Sequence, residues 1–301
     1  MGVPTISAAR TKIGQNVTFG ENVKIECETF ECGDCCYFGD DTTITCRSFK
    51  AGDYLYFANG VEVGRGGCRG ARSHVEIGSY VGVFENTVIN PSEPVSIGDY
   101  VGIGADVLIW THGAWLDPLD GFPSAFGPVE IGANVWLPAR SIVLPNVKIG
   151  RDTVIAINSV VNRDLPSGCL AGGNPAKVLK EEEYPKILSF EQKKLWALGI
   201  CEEWLDLIRY KLGDVDFVFE ISQESGVSLF EKGKLVAVYK IFDKPYTMLC
   251  WELERQDVCE DFRDFLRRNG VKIFSGEAFK SIPSLQTSSK NFFDFQRRRD
   301  P

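Results

Sequence analysis

The stretch VEIGANVWLPARSIVLPNVKIGRDTVIAINSVV, residues 129–161, carries an aliphatic side chain at every sixth position: Ile131, Leu137, Val143, Ile149, Ile155 and Val161. Two residues before each stands a small or β-branched partner: Val129, Val135, Ser141, Val147, Thr153 and Ser159. The same pairing runs upstream through Val75/Ile77, Val81/Val83 and Thr87/Ile89, then Val95/Ile97, Val101/Ile103 and Val107/Ile109. A period of six matches neither the helical repeat nor simple alternation. It fits very short strands that turn two residues inward and are joined by corners where Gly, Asn or Asp accepts a positive φ, as at Gly98-Asp99, Gly132-Ala133-Asn134 and Gly150-Arg151-Asp152. One such unit cannot bury its inward face alone, whereas stacked coils can, so the pattern predicts a parallel β-helix solenoid.

The repeat is interrupted twice. Asn90 to Pro94 lengthens one corner by two residues, and Thr111 to Pro128 (THGAWLDPLDGFPSAFGP) ejects a loop, after which the period resumes. A long loop leaving a rigid scaffold is commonly functional. This one contains His112, one of two histidines in the chain.

Upstream, residues 11–70 read as a rougher version of the same solenoid, with Ile13, Phe19 and Ile25 at spacing six and Gly-Asp corners at Gly33, Gly39 and Gly52. Phe38, Tyr54 and Phe57 suggest wider or less regular coils near an end. RGGCRGARSH then leads into the regular region, and His74 is expected at a corner, as a polar turn residue or as an acceptor contact. Five of the ten cysteines cluster early, at Cys27, Cys32, Cys35, Cys36 and Cys46. Cys32 and Cys35 resemble half a zinc site, but no second pair or nearby histidine completes it, and small buried core thiols are the expected reading.

Downstream, SGCLAGGNPAKVLK should leave the last coil as a loop, because Gly172, Gly173 and Pro175 do not suit a strand interior. A composition shift at EEEYPKI puts the boundary near 182, giving a solenoid domain over 1–182 with the protruding loop 111–128, and a small α+β domain over 183–301. In the second domain Ser189 and Gln192 form a capping box that opens a helix to about Leu212. Its buried face is Trp204, Leu205, Ile208 and Leu212, with Gly199 a candidate interruption. VDFVFEI, GVSLFE and KLVAVYKIF read as strands with a tight turn at Lys232-Gly233. Asp257 and Glu260 form a second capping box for a helix to Asn269, closed by Gly270, and VKIF reads as a last strand. The final SLQTSSKNFFDFQRRRDP should be poorly ordered.

Composition narrows the function. Hydrophobic residues at 44% and charged residues at 25% suit a soluble globular protein, and a net charge of -8 argues against a nucleic-acid footprint. No apolar run reaches the roughly 20 residues of a membrane span. MGVPTISAAR has no signal-peptide core, and Ile6 breaks the myristoylation pattern, so a cytoplasmic protein is expected.

Residues 75–180 resemble the hexapeptide-repeat acyltransferases, most of all the galactoside, maltose, streptogramin, xenobiotic and polysaccharide O-acetyltransferases. The segment from Ile131 to Lys180 matches their C-terminal signature almost without a gap, and the repeat, histidine loop, VW corner and G-N-P-A-K element stand in the expected order. The resemblance implies a left-handed parallel β-helix, a homotrimer, acetyl-coenzyme A as co-substrate without a metal, and a carbohydrate or sugar-nucleotide acceptor. It makes His112 the general base, a role that also fits imidazole chemistry near neutral pH. Glu93, Asp117, Asn90 and backbone carbonyls are all candidates to orient its second nitrogen.

The amide of Ala139, where relatives often carry Ser, would face the oxyanion. Trp136 would line the donor channel or pack between subunits. Ile157, where relatives carry a Gly-Ala-Gly run in place of Ala156-Ile157-Asn158, would offer its amide to the pantetheine arm at the cost of bulk. Arg163, Pro175, Lys177 and Lys180 complete the donor side, their cations suited to the nucleotide phosphates. The acceptor side takes His74, Glu85, Asn86, Asn90 and Trp115. The expected activity is O-acetylation of a sugar or surface-polysaccharide precursor. N-acetylation of a sugar nucleotide and a non-catalytic trimeric scaffold are the alternatives. A γ-class carbonic anhydrase, which needs three zinc histidines, is excluded by the histidine count.

Overall fold

The computed structural model describes residues 2–273 except 182, 183, 243, 245 and 251; the expected last strand falls partly, and the C-terminal tail wholly, outside the described residues. The described chain forms two compact units, residues up to 187 and from 188 onward.

The first unit is a parallel β-solenoid. One regular coil comprises Val95–Ile97, Gly102–Ile103 and Leu108–Trp110, which we term faces one, two and three. The next coil pairs with it in register, Val95 with Val129, Gly102 with Trp136 and Leu108 with Ile142. All twelve aliphatic repeat positions and their twelve partners two residues earlier are at most 5% exposed, so both members of each pair point into the coil. The corners turn through left-handed residues, among them Asp106, Asn134, Asn146, Asp152 and Asn158 at φ between 56° and 60°. Asn and Asp tolerate this region better than other residues with a β-carbon.

The first coils follow a 19-residue period rather than spacing six. Thr5–Ile13, Lys24–Cys32 and Thr43–Ala51 are nine-residue strands in register, Thr5 with Lys24 and Lys24 with Thr43. Each runs through the corner between faces three and one that later coils turn. Ile13 is consequently 40% exposed and Phe19 half-buried, and only Ile25 of that expected trio lies in the core. Phe30 stacks on Phe49 at 5.6 Å and Phe19 on Phe38 at 5.2 Å, one coil apart, and these larger side chains fill the wider coils. The early cysteines pack in the same interior, with Cys27 Sγ 3.7 Å from Cys46 Sγ.

At the other end, the expected exit loop is instead a β-hairpin. Leu170–Gly173 pairs in parallel with Val154–Ile155 and antiparallel with Ala176–Lys180. Gly172 permits this, since a β-carbon there would meet the Ala156 Cβ at 2.6 Å.

The second unit packs two helices on a four-stranded antiparallel sheet of Phe217–Ser222, Gly226–Glu231, Lys234–Lys240 and Thr247–Cys250. Helix α1 (Phe190–Leu212) starts at the Ser189/Gln192 capping box and runs unbroken through Gly199. Trp204 and Ile208 are fully buried, but Leu212, in the last turn, is 43% exposed. Helix α2 (Gln256–Arg268) lacks the expected capping box. The chain enters it from the 3₁₀ turn Leu253–Arg255, so Asp257 already lies inside the first turn, and Glu260 pairs with Arg263. Val271–Ile273 is not a strand. Trp204, Tyr239 and Phe262 centre the core, and buried Asp261 accepts from Trp204 Nε1 at 2.9 Å. Among the described residues no helix is long and apolar enough to cross a membrane.

Candidate active site

Three consecutive corners between faces three and one are irregular, and they stack. Glu62–Val63 pairs with Val88–Ile89, which pairs with Leu108–Ile109; across the corner His74–Ile77 pairs with Val95–Ile97, and that strand with Val129–Ile131. Between these strands the chain leaves the coil as Gly64–Ser73, then as Asn90–Pro94, then as Thr111–Pro128. One edge of the solenoid therefore carries three loops in adjacent layers.

His112 lies at their junction. His112–Gly113 pairs antiparallel with Ala125–Phe126, so the 111–128 loop begins and ends as a short ribbon. The imidazole stacks on Phe126 and meets Trp110 edge-on, each at 5.7 Å between centroids. Its Nδ1 is 2.9 Å from Asn90 Oδ1 and 3.0 Å from Ser92 Oγ.

Asn90 has no exposed surface. Its Nδ2 donates to the carbonyls of Gly64 at 2.9 Å and Gly66 at 3.1 Å and lies 3.3 Å from Cys68 Sγ. Burial pushes the Cys68 thiol up to about 11, so that sulfur stays neutral at physiological pH. Turning the amide over would put an oxygen against two carbonyl oxygens. The oxygen therefore faces His112, and an amide oxygen can only accept. In the neutral ring this contact assigns the proton to Nδ1 and leaves Nε2 as the acceptor.

Of the sequence candidates for orienting His112, Asn90 touches it. Glu93 instead pairs with Arg72 at 2.7 Å, and Asp117 caps the 3₁₀ turn Pro118–Asp120 through Leu119 N at 2.8 Å. Thr111 Oγ1 ties the corner together, donating to the Asn90 carbonyl and accepting from Glu93 N. The sequence marks Ser92 only by its place in the lengthened corner.

Another edge, between faces two and three, is built of backbone. In the first coils a side chain of the next coil caps the corner amide: Asp40 Oδ1 accepts from Glu21 N at 2.7 Å, and Asn59 Oδ1 from Asp40 N at 3.0 Å. Further along this column come Glu85, Ala105, Ala139 and Ile157. Among the described residues no acceptor meets the amides of Ala105, Ala139 or Ile157. Trp136, three residues before Ala139 on face two, is 57% exposed, and Ile157 is 67% exposed. Arg163, Pro175, Lys177 and Lys180 are all exposed, the last three on or beside the terminal hairpin.

Comparison with known proteins bears on the same residues. The profile described as "Bacterial transferase hexapeptide (six repeats)" matches residues 128–163, which span the Ala139–Ile157 column. Protein CapG of Staphylococcus aureus is 35% identical over 132 residues, 37% of this chain and 74% of that one. The chain belongs to the bacterial transferase hexapeptide family. A Saccharomyces cerevisiae protein, YJL218W, whose name assigns it provisionally to the acetyltransferases, is 41% identical over 112 residues, 36% of this chain. The match spans 57% of that relative's length, and 31% of a similarly named staphylococcal protein that is 47% identical over 62 residues. A solved hexapeptide-repeat acetyltransferase from Vibrio cholerae, complexed with acetyl coenzyme A, is 26% identical, covering 48% of this chain and 69% of that one; its TM-score of 0.32 transfers no geometry.

In this member of the family, the remaining acceptor-side candidates separate. Trp115 is 95% exposed on the 111–128 loop. Glu85 and Asn86 lie on the Ala139 edge, Asn86 donating to Asp106 Oδ1 at 3.4 Å. His74 opens a strand rather than a corner, pairs with Ser48 and lines an open polar groove with Arg10, Arg47 and Lys50. His112 and the Ala139 amide are one solenoid face apart, so a single chain does not bring the two edges together.

Proposed function

We propose that this chain transfers an acetyl group from acetyl coenzyme A to a hydroxyl of a sugar or surface-polysaccharide precursor. The observation that carries the reading is the Asn90–His112 hydrogen bond, which leaves Nε2 as an unprotonated base. Nε2 takes the acceptor's proton as its oxygen attacks the thioester carbonyl. The amide of Ala139 donates to the resulting oxyanion, and collapse expels the thiolate of coenzyme A, which takes the proton back from the imidazolium. Trp136 and the Ile157 amide line the path of the pantetheine arm, and Arg163, Lys177 and Lys180 meet the nucleotide phosphates. The names of the yeast and staphylococcal relatives support acetyl transfer.

Base and oxyanion donor occupy different edges of one chain, which is the arrangement expected of a homotrimer whose sites are each shared by two copies. Sedimentation equilibrium should therefore give three copies; a monomer that still cleaves acetyl coenzyme A would contradict the shared site. Residues 183–301 form an accessory domain in this reading.

The deciding experiment measures release of coenzyme A thiol in the presence of sugars, sugar nucleotides and glycolipid fragments, followed by alkaline hydroxylamine on the product. O-acetylation predicts acceleration by a saccharide hydroxyl and an acetyl group that hydroxylamine removes. A hydroxylamine-resistant product would make the enzyme an N-acetyltransferase, and release unaffected by every acceptor would favour the scaffold.

A further inference from the structure

The glycine- and arginine-rich segment Gly64–Ser73 has no part in the repeat and none in the chemistry above. It arises because the nine-residue strand Thr43–Ala51 pairs with two separate strands of the following coil, Glu62–Val63 through its start and His74–Ile77 through its end. The ten residues between those partners are extruded at the His112 edge. Three ion pairs tie them to the solenoid: Arg65 to Glu62 at 2.9 Å, Arg69 to both oxygens of Glu26 at 2.8 Å, and Arg72 to Glu93 at 2.7 Å. The Ser73 carbonyl accepts from Arg47 N and Ser48 N, each at 3.1 Å. The Arg65 and Arg69 pairs are largely solvent-exposed and contribute little stability, whereas Arg72 reaches a mostly buried Glu93; together they fix where the loop's backbone lies.

That backbone touches both residues that hydrogen-bond to His112 Nδ1. Gly64 and Gly66 supply the carbonyls that hold the Asn90 amide, and the Gly66 carbonyl also accepts from Ser92 Oγ at 3.0 Å. Gly67 adopts φ +83°, and a β-carbon there would stand 2.5 Å from Ser92 Oγ. A residue with a β-carbon at 67 would be strained by that φ and would crowd the Ser92 hydroxyl, so either the loop or the hydroxyl has to shift.

We infer that the Gly64–Ser73 loop is a positioning element for His112: its carbonyls fix which end of the Asn90 amide faces the ring, and its bare Gly67 leaves room for Ser92, so that the imidazole is held as the Nδ1–H tautomer with Nε2 bare. The inference rests on His112 being the base, yet its primary readout does not require turnover. The loop's residues act through Asn90 and Ser92 and touch no substrate.

The test is a ¹⁵N solid-state spectrum of protein labelled only at histidine, at a pH where the ring is neutral. The chain has two histidines, and His74→Gln assigns the other resonances. The wild-type protein should show a protonated Nδ1 and a bare Nε2 at His112. Gly67→Ala should show a mixture of tautomers, with kcat lower by about 10- to 100-fold, the scale of a small misplacement of a reacting group, and an unchanged KM for acetyl coenzyme A. Gly70→Ala, whose methyl would come no closer than 3.8 Å to any heavy atom, should retain the wild-type spectrum and rate. If Gly67→Ala does not fold, Asn90→Ala removes the acceptor that the Gly64 and Gly66 carbonyls turn toward the ring and should show the mixture. A wild-type His112 protonated at Nε2, or an unchanged spectrum in the folded Gly67→Ala or Asn90→Ala protein, overturns the inference. Wild-type turnover in folded His112→Ala would instead remove the functional reading and leave the tautomer assignment standing.

Discussion

Along one edge of the solenoid three successive corners lengthen into loops and enclose a side-chain amide with no exposed surface. Along another the corners keep their length, and the side chains that cap their amides in the first coils give way to Ala105, Ala139 and Ile157. The first edge spends sequence on orienting one imidazole. The second removes side-chain acceptors, so that main-chain amides stay available to a ligand. Both devices rest on the same coil interior, where every repeat position is buried, and this separates what holds the fold from what the proposed chemistry uses.

That separation can be broken from the inside. Ile109→Ala, which empties a fully buried site beneath the loop edge, should cost about 2–5 kcal/mol of stability, read from denaturant unfolding. Activity per folded molecule should stay near wild type; a loss of turnover without a loss of stability would mean that the core and the edge are not separable.

Asn90→Leu attacks the loop edge directly. It leaves two carbonyls without their donor and the imidazole without its acceptor. The expected results are a kcat lower by about 10- to 100-fold and a stability cost of about 1–3 kcal/mol. Wild-type kcat in a folded Asn90→Leu protein would reassign the orienting role.

On the amide edge the effect should fall on the donor. Lys177→Ala combined with Lys180→Ala is expected to raise the apparent donor KM several-fold with little change in kcat, on the order of one or two weak surface contacts. The penalty should shrink for a donor that lacks the 3′-phosphate. Equal losses with both donors would remove these lysines from the phosphate site.

The smallest effect is expected for His74→Ala. The His74 side chain lines the polar groove of the early coils with Arg10, Arg47 and Lys50, so turnover should remain within about twofold of wild type, far below the range of a lost general base. A loss of tenfold or more would bring that groove into the acceptor site.

The regular coils were legible because each face places exactly two of six residues inward, which imposes its own period on the sequence. The early coils obey a 19-residue period that the chain also spells out, in Phe19, Phe38 and Phe57, in Cys27 and Cys46, and in Asp34 and Asp53. Spacing six obscured it, because a nine-residue strand passes the corner without a turn signal. His112 could be read from its loop, but the choice of Asn90 over Glu93 and Asp117 could not. It depends on carbonyls of Gly64 and Gly66, 26 and 24 residues earlier, that only coil stacking brings to the site. In the second unit, a capping signature at Asp257 and Glu260 was overridden by the 3₁₀ turn that precedes the helix.

The central claim is that Nε2 of His112 is the base. The direct measurement is single-turnover acetyl transfer to the identified acceptor by His112→Ala, with acetyl coenzyme A binding and melting temperature measured on the same sample. The account predicts a rate lower by about 100- to 10,000-fold, donor affinity unchanged and a melting temperature within a few degrees of wild type. A folded, donor-saturated His112→Ala protein that transfers acetyl at the wild-type rate would contradict it.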